Sequence, residues 1–206
     1  MLQMIMGAHV PDPTMLSEGY ELNGSYISAN VDADHILKIM VDFMNRNADR
    51  PLFLFIEVPT NIKYETVIDE TEDGCVMVKT KHRDVYYLDG RSAAFFTELL
   101  DVYGSLLVHD GLCHFGVGNN IGEEIGKYRY NVMSLYCHEG SAEKYTSLFE
   151  DAGIRRTETL LTAWDIFTRE NPGESERIIA RNGKGVYDII EELKSHNLYF
   201  AQRREE

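Results

Sequence analysis

Apolar residues recur along this chain with two periods, and the alternation between them predicts most of its elements. From Tyr20 to Val31 the stretch YELNGSYISANV reads as a strand or a hairpin broken at Asn23-Gly24, a dipeptide suited to tight turns. After Asp32 the period changes: Ile36, Leu37, Met40, Phe43 and Met44 fall on one helical face, with Asp32 as cap and Asp34 at the positive end of the dipole. Pro51 ends that helix, and the run LFLFIEV at 52–58 reads as a strand buried on both faces. Strand, helix and buried strand together predict a βαβ unit, and so a partly parallel sheet. Ile62 to Ile68 and Cys75 to Thr80 form a hairpin pattern around Asp73-Gly74, with Val85 to Leu88 as a third short strand.

The second half repeats the alternation. Phe95, Phe96, Leu99, Leu100 and Tyr103 mark a helix that Gly104 is placed to stop. Strands follow at Leu106 to Val108 and Cys113 to Val117, and a longer one at Lys127 to Tyr136, rich in Tyr, Val and Leu. Ser141 opens a helix with Tyr145, Leu148, Phe149 and Ala152 inward and Gly153 as its stop. Thr157 to Phe167 reads as a strand, the following segment to Gly185 as turns, and Val186 to His196 as a last helix burying Val186, Ile189, Ile190 and Leu193. Pro11 and Pro13 make residues 1–17 an extended arm. No internal repeat or linker divides the chain, so the expectation is one α+β domain over 1–206: a mixed, mainly antiparallel sheet with about four helices.

Composition narrows the function classes. Among 206 residues, 34 acidic against 20 basic give a net charge of −14, which repels nucleic acid and anionic membrane. Cys75, Cys113 and Cys137 show no disulfide spacing, the start of the chain lacks a signal-peptide pattern, and the 52–58 run is too short to span a bilayer. These features predict a reduced, cytoplasmic chain.

Candidate chemistry centres on 104–137. His109, Cys113 and His114 lie close together and Cys137-His138 ends the long strand, offering sulfur and nitrogen donors to zinc. Adjacent strand residues point to opposite faces, however, so each Cys-His pair offers one ligand to a face at most. Gly116, Gly118, Gly122 and Gly126 do not make a phosphate loop, because Glu123 and Glu124 sit among them and strand follows. They predict a bent or bulged connection with glycines at positive φ. Glu57, at the end of the buried run, and Asp165 in AWDIF are the carboxylates whose surroundings can shift a pKa. Neither a metal nor a cofactor is expected.

Surface acidity remains. Glu65, Asp69, Glu70, Glu72 and Asp73 form a run with no basic residue among them, and 12 tyrosines supply contact area. In composition and size the chain is similar to small acidic bacterial proteins that neutralise toxins, an analogy carried by no motif. The expectation is a non-enzymatic acidic binding protein, an immunity or inhibitor protein for a basic protein partner such as a toxin. Its partner-binding residues are Asp69, Glu70, Glu72, Asp73, Asn119, Asn120, Glu123 and Glu124. The rival expectation is a small-molecule-binding protein or hydrolase-like enzyme with a pocket near His109, Cys113, His114 and Glu57.

Overall fold

The computed structural model describes residues 2–205 except 61–64 and 72–73, and the backbone alone for 65–71 and 74–80. In chain order the elements begin with β1 (Ala8–His9), β2 (Gly19–Asn23), β3 (Tyr26–Asn30), α1 (Ala33–Arg46) and β4 (Leu52–Pro59). Then come β5 (Glu65–Thr71), β6 (Gly74–Thr80), β7 (His82–Arg91), α2 (Ala93–His109), β8 (His114–Asn119), β9 (Glu124–Lys127) and β10 (Val132–Tyr136). The chain closes with α3 (Thr146–Glu150), α4 (Ala163–Ile166), β11 (Glu174–Ser175), α5 (Val186–Leu193) and β12 (Tyr199–Glu205). This is an α+β fold.

Eight strands form one sheet in the order β12-β7-β4-β8-β9-β10-β3-β2, and every neighbouring pair in it is antiparallel. The predicted βαβ unit is corrected here. β3 and β4 run in the same direction on either side of α1, but β8, β9 and β10 lie between them, so they share no ladder. α2 likewise carries the chain from β7 over β4 to β8. β5 and β6 make a separate two-stranded ladder inserted between β4 and β7, and β1 pairs with β11.

The core lies on the helix side of the sheet. Leu52, Leu54, Ile56 and Val58 of β4 alternate into it and meet Ile36, Ile39, Met40 and Phe43 of α1 and Phe96, Leu99, Leu100 and Leu107 of α2. A single buried cluster reaches from Leu2 to Leu198. It takes in the expected arm: Leu2, Ile5 and Leu16 are at most 3% exposed, and Leu2 N donates to Leu16 O. Pro11 and Pro13 therefore shape a loop folded against the core.

Other expectations are corrected as well. Leu106 to Val108 are the last turns of α2, because Leu107 and Val108 continue its apolar stripe and their aliphatic side chains serve either period. Gly104 sits inside that helix, where α1 crosses close; a Cβ there would stand 2.8 Å from Leu37 Cδ1. The strand expected at Lys127 to Tyr136 is broken by a 3₁₀ turn in which Tyr130 and Asn131 hold φ of 55° and 63°. Asn131 tolerates that region best among side chains other than glycine, and its carboxamide ties three segments by accepting from Ile5 N and donating to Gln3 O and Val31 O. Thr157 to Phe167 forms no strand of the sheet; it holds α4, started by a capping box between Thr162 and Asp165. The expected helix after Ser141 begins as a 3₁₀ turn over Ala142–Tyr145 before α3.

Candidate functional site

The other face of the sheet is built by the other half of each strand's alternation. Phe53, Phe55 and Glu57 of β4 stand opposite Gly118, Gly116 and His114 of β8, and Gly116 stands opposite Gly126 of β9. A Cβ on Gly118 would lie 2.3 Å from Phe53 Cζ, and one on Gly116 would lie 2.5 Å from Phe55 Cε1. The glycines leave room for aromatic rings laid flat on the sheet. Only Gly122 of the four has positive φ, 86°, which corrects the expectation of a glycine-bent loop at the others.

At one end of this face Glu57 and His114 meet. Arg83 Nε donates to Glu57 Oε1 at 2.7 Å, His114 Nδ1 stands 3.5 Å from the same oxygen, and Arg204 Nη1 lies 3.7 Å from Oε2. Burial pushes the His114 imidazole down to about 4, so it is neutral at pH 7. Burial acts to raise the Glu57 carboxyl, but the His114 contact and the Arg83 and Arg204 charges prevail and bring it down to about 2. With His114 neutral, the two guanidiniums are what keep Glu57 ionised at neutral pH.

The rest of the rival pocket does not assemble around that pair. Cys113 has no exposed surface and points into the core, where burial pushes its thiol up to about 12. His109 ends α2, and its Nδ1 accepts from Met6 N at 3.3 Å. Behind Cys113 lies a polar anchor that the sequence reading missed. Lys127, fully buried, donates through Nζ to Asp110 O (2.8 Å) and Cys113 O (3.0 Å). Asp110 Oδ1 accepts from Leu112 N and Cys113 N, and its Oδ2 accepts from Ile178 N. Burial brings the Lys127 ammonium down to about 8.

The two Cys-His pairs stay apart. β8 and β10 run parallel on either side of β9, with Phe115 in register with Met133 through Lys127. Cys113 and Cys137 are thus displaced by six residues, about 20 Å along the sheet. Among the described residues the cluster with metal-ligand geometry is Glu18, Asp32 and His35, whose ligand atoms lie within 4.8 Å of one another. Its carboxylates already accept from backbone: Gln3 N on Asp32, and Asp32 N on Glu18. They fix the start of α1.

The opposite end of β4 carries the 119–124 loop. Asn119 and Glu123 were expected on a partner-facing surface, but the structure turns both side chains inward, at 2% and 1% exposure. Asn119 Nδ2 donates to Asn47 Oδ1 and Glu123 Oε2, each at 2.9 Å, while its Oδ1 accepts from Ile121 N and Glu123 N. Tyr145 OH donates to Glu123 Oε2 at 2.5 Å, Lys144 Nζ donates to Oε1, and Arg50 Nη1 lies 3.6 Å from Oε2. Burial works to raise the Glu123 carboxyl, and those donors outweigh it, holding it below the usual carboxylate range. Asn120, Ile121 and Gly122 are left facing solvent, and Glu124 is half-buried.

Asn119 pairs with Leu52 at the start of β4, whereas the β5–β6 insertion leaves from its far end at Pro59. The loop and the root of the acidic hairpin are therefore about 23 Å apart. Asp69 and Glu70 lie on β5; their side chains, and Glu72 and Asp73 altogether, are outside the described residues. Asn47, Arg50, Arg83 and Lys127 sit among other polar residues and carry no distinguishing signal in the sequence, and Tyr145 shows there only as an inward helix position. Among the described residues no helix is long and apolar enough to cross a membrane. Compared with protein-family models, with curated proteins and with solved structures, the chain matches none of them.

Proposed function

We propose that this chain is a non-enzymatic binding protein that presents the 119–124 loop to a basic protein partner, as an immunity or inhibitor protein would. The observation that carries the reading is the way the loop is locked. Asn119 and Glu123 spend their side chains beneath it, so Asn120, Ile121 and Gly122 are held in one conformation before any partner arrives. A rigid loop loses little entropy on binding, which is how a small exposed tip gains affinity. The charge at this end suits a basic partner. Lys144 and Arg50 are engaged by Glu123, while Glu124 and the exposed Glu139 have no ion-pair partner among the described residues. The acidic residues Asp69, Glu70, Glu72 and Asp73 add long-range steering.

The Glu57–His114 pair supports this reading over the enzymatic one. A general acid or base works best with a pKa near the working pH. Both groups lie well below neutrality, so each keeps one charge state from about pH 5 upward. Such a pair suits a structural tie between β4, β7 and β8.

The test is affinity capture from the protein's own cells, followed by titration of the captured partner against variants. Ile121→Lys with Asn120→Lys should weaken binding at least tenfold by repelling a basic surface. Neutralising Asp69, Glu70, Glu72 and Asp73 together should slow association and flatten its salt dependence. A partner of acidic charge, or binding untouched by both sets of changes, would overturn the proposal.

A further inference from the structure

A groove of about 640 Å³ lies between α2 and the segment that leads into α5. Its apolar surface comes from Met6, Val102, Leu106, Ile178, Ile179 and Ile189. Three of these are conspicuously uncovered: Met6 is 57%, Val102 71% and Ile179 61% exposed. Exposed apolar side chains scattered singly need no explanation, but these converge on one concavity of the size that takes a small ligand.

The groove has a direction. Its apolar end is pinned at the last turn of α2, where Ile178 N donates to Asp110 Oδ2 (3.1 Å) and Met6 N to His109 Nδ1 (3.3 Å). Its polar end lies less than two turns back along α2, where Tyr103 OH donates to Glu192 Oε2 at 2.8 Å and Lys184 Nζ donates to the other oxygen of that carboxylate. Arg181 lines the same groove, exposed and with no carboxylate partner among the described residues. The turn that carries these cations is fixed by Ala180 N donating to Lys184 O at 2.8 Å and by Gly183 at φ 81°. The lining thus carries two cations and one carboxylate, with Asp188 also close enough to Lys184 to act on its charge, in a chain whose net charge is −14. Arg181 is the cation this leaves open to a ligand's charge.

We propose that this groove binds a free single-chain amphiphile with a carboxylate head. The hydrocarbon lies over Val102, Leu106 and Ile179 toward Met6, and the head sits at Arg181 and Lys184 while Glu192 keeps its bond from Tyr103. Burial of the chain supplies affinity in proportion to apolar area, and the cations choose the head group. An open groove suits such a ligand because the head stays partly hydrated.

Decanoate, below its micelle concentration, is the probe for calorimetric titration into the full chain, with decanol and decyltrimethylammonium as comparators. One saturable site is expected. Val102→Glu, a change on the exposed side of α2, should weaken decanoate at least tenfold, and Ile179→Glu should do the same from the opposite wall. Arg181→Gln should weaken decanoate several-fold and leave decanol unchanged. Circular dichroism confirms that each variant is folded. Equal or tighter binding of decyltrimethylammonium, decanoate binding indifferent to both wall variants, absence of saturation, or binding only to anionic vesicles would each overturn the proposal.

Discussion

Lys127 has no exposed surface, and its ammonium donates to two neutral carbonyls, at 2.8 and 3.0 Å. An unfolded lysine keeps its proton to about pH 10.5, whereas here burial brings the value to about 8. Between those two values the unfolded chain binds more protons than the folded one, so folding stability rises with pH. Wild type should gain on the order of 1–2 kcal/mol relative to Lys127→Met between about pH 8 and 9.5, read from urea midpoints. Parallel curves for the two proteins would refute the argument. His114 behaves in the same sense at acid pH. Its imidazole falls from 6.5 to about 4 on folding, so stability is full above 6.5 and declines as pH drops toward 4. Glu57 falls from 4.5 to about 2, and its contribution is present above 4.5 and lost as pH falls through 2. His114→Gln should therefore flatten the first part of the acid limb and Glu57→Gln the second. Glu57→Gln should also cost on the order of 3 kcal/mol at neutral pH, because the carboxylate facing Arg83 and Arg204 is gone.

At the scale of elements, the pairing of glycine with aromatic ring across β4 and β8 makes a double-mutant test. Gly118→Ala puts a methyl 2.3 Å from Phe53 Cζ and should destabilise by about 1–3 kcal/mol. Phe53→Leu removes the ring, so the same alanine should cost much less in that background; equal costs would mean that the strain lies with the Glu123 carbonyl instead. This juxtaposition also marks where the sequence stopped being legible. The β2–β3 turn at Asn23-Gly24, the stripe of α1 and the buried run of β4 were readable because local period and turn chemistry decide them. The glycines of 116–126 were visible, but not the rings that require them, which come from a strand about 60 residues earlier. α2 was cut short because Gly104 reads as a stop, and only the approach of α1 explains a glycine there. The 3₁₀ break at Tyr130 lies inside a stretch of strand-forming residues and is imposed by Asn131, whose three partners are distant in sequence. In the candidate site, the sequence marks both Glu57 and His114, which do meet, while Arg83, which holds the Glu57 carboxylate, gives no local sign.

For the whole molecule, a charge of −14 sets two opposite responses to salt. Screening relieves repulsion within the folded chain and weakens attraction to a basic partner. The melting temperature should therefore rise from 10 to 200 mM NaCl while affinity for the captured partner falls over the same range; a melting temperature that falls would show that attractive pairs outweigh the repulsion. Strand order carries a further consequence, for the time at which each part of the sheet becomes possible. β2 and β3 are made first, yet β3 joins the sheet only through β10, where Asn30 meets Val132 about 100 residues later. A lone two-stranded hairpin is marginal in water, so the earliest strands leave the ribosome without the neighbour that secures them. Ribosome-bound chains that end before Val132 should be cut by protease within residues 19–30, and longer chains that expose β10 should not. The first-made edge of this sheet is thus among its last parts to become permanent.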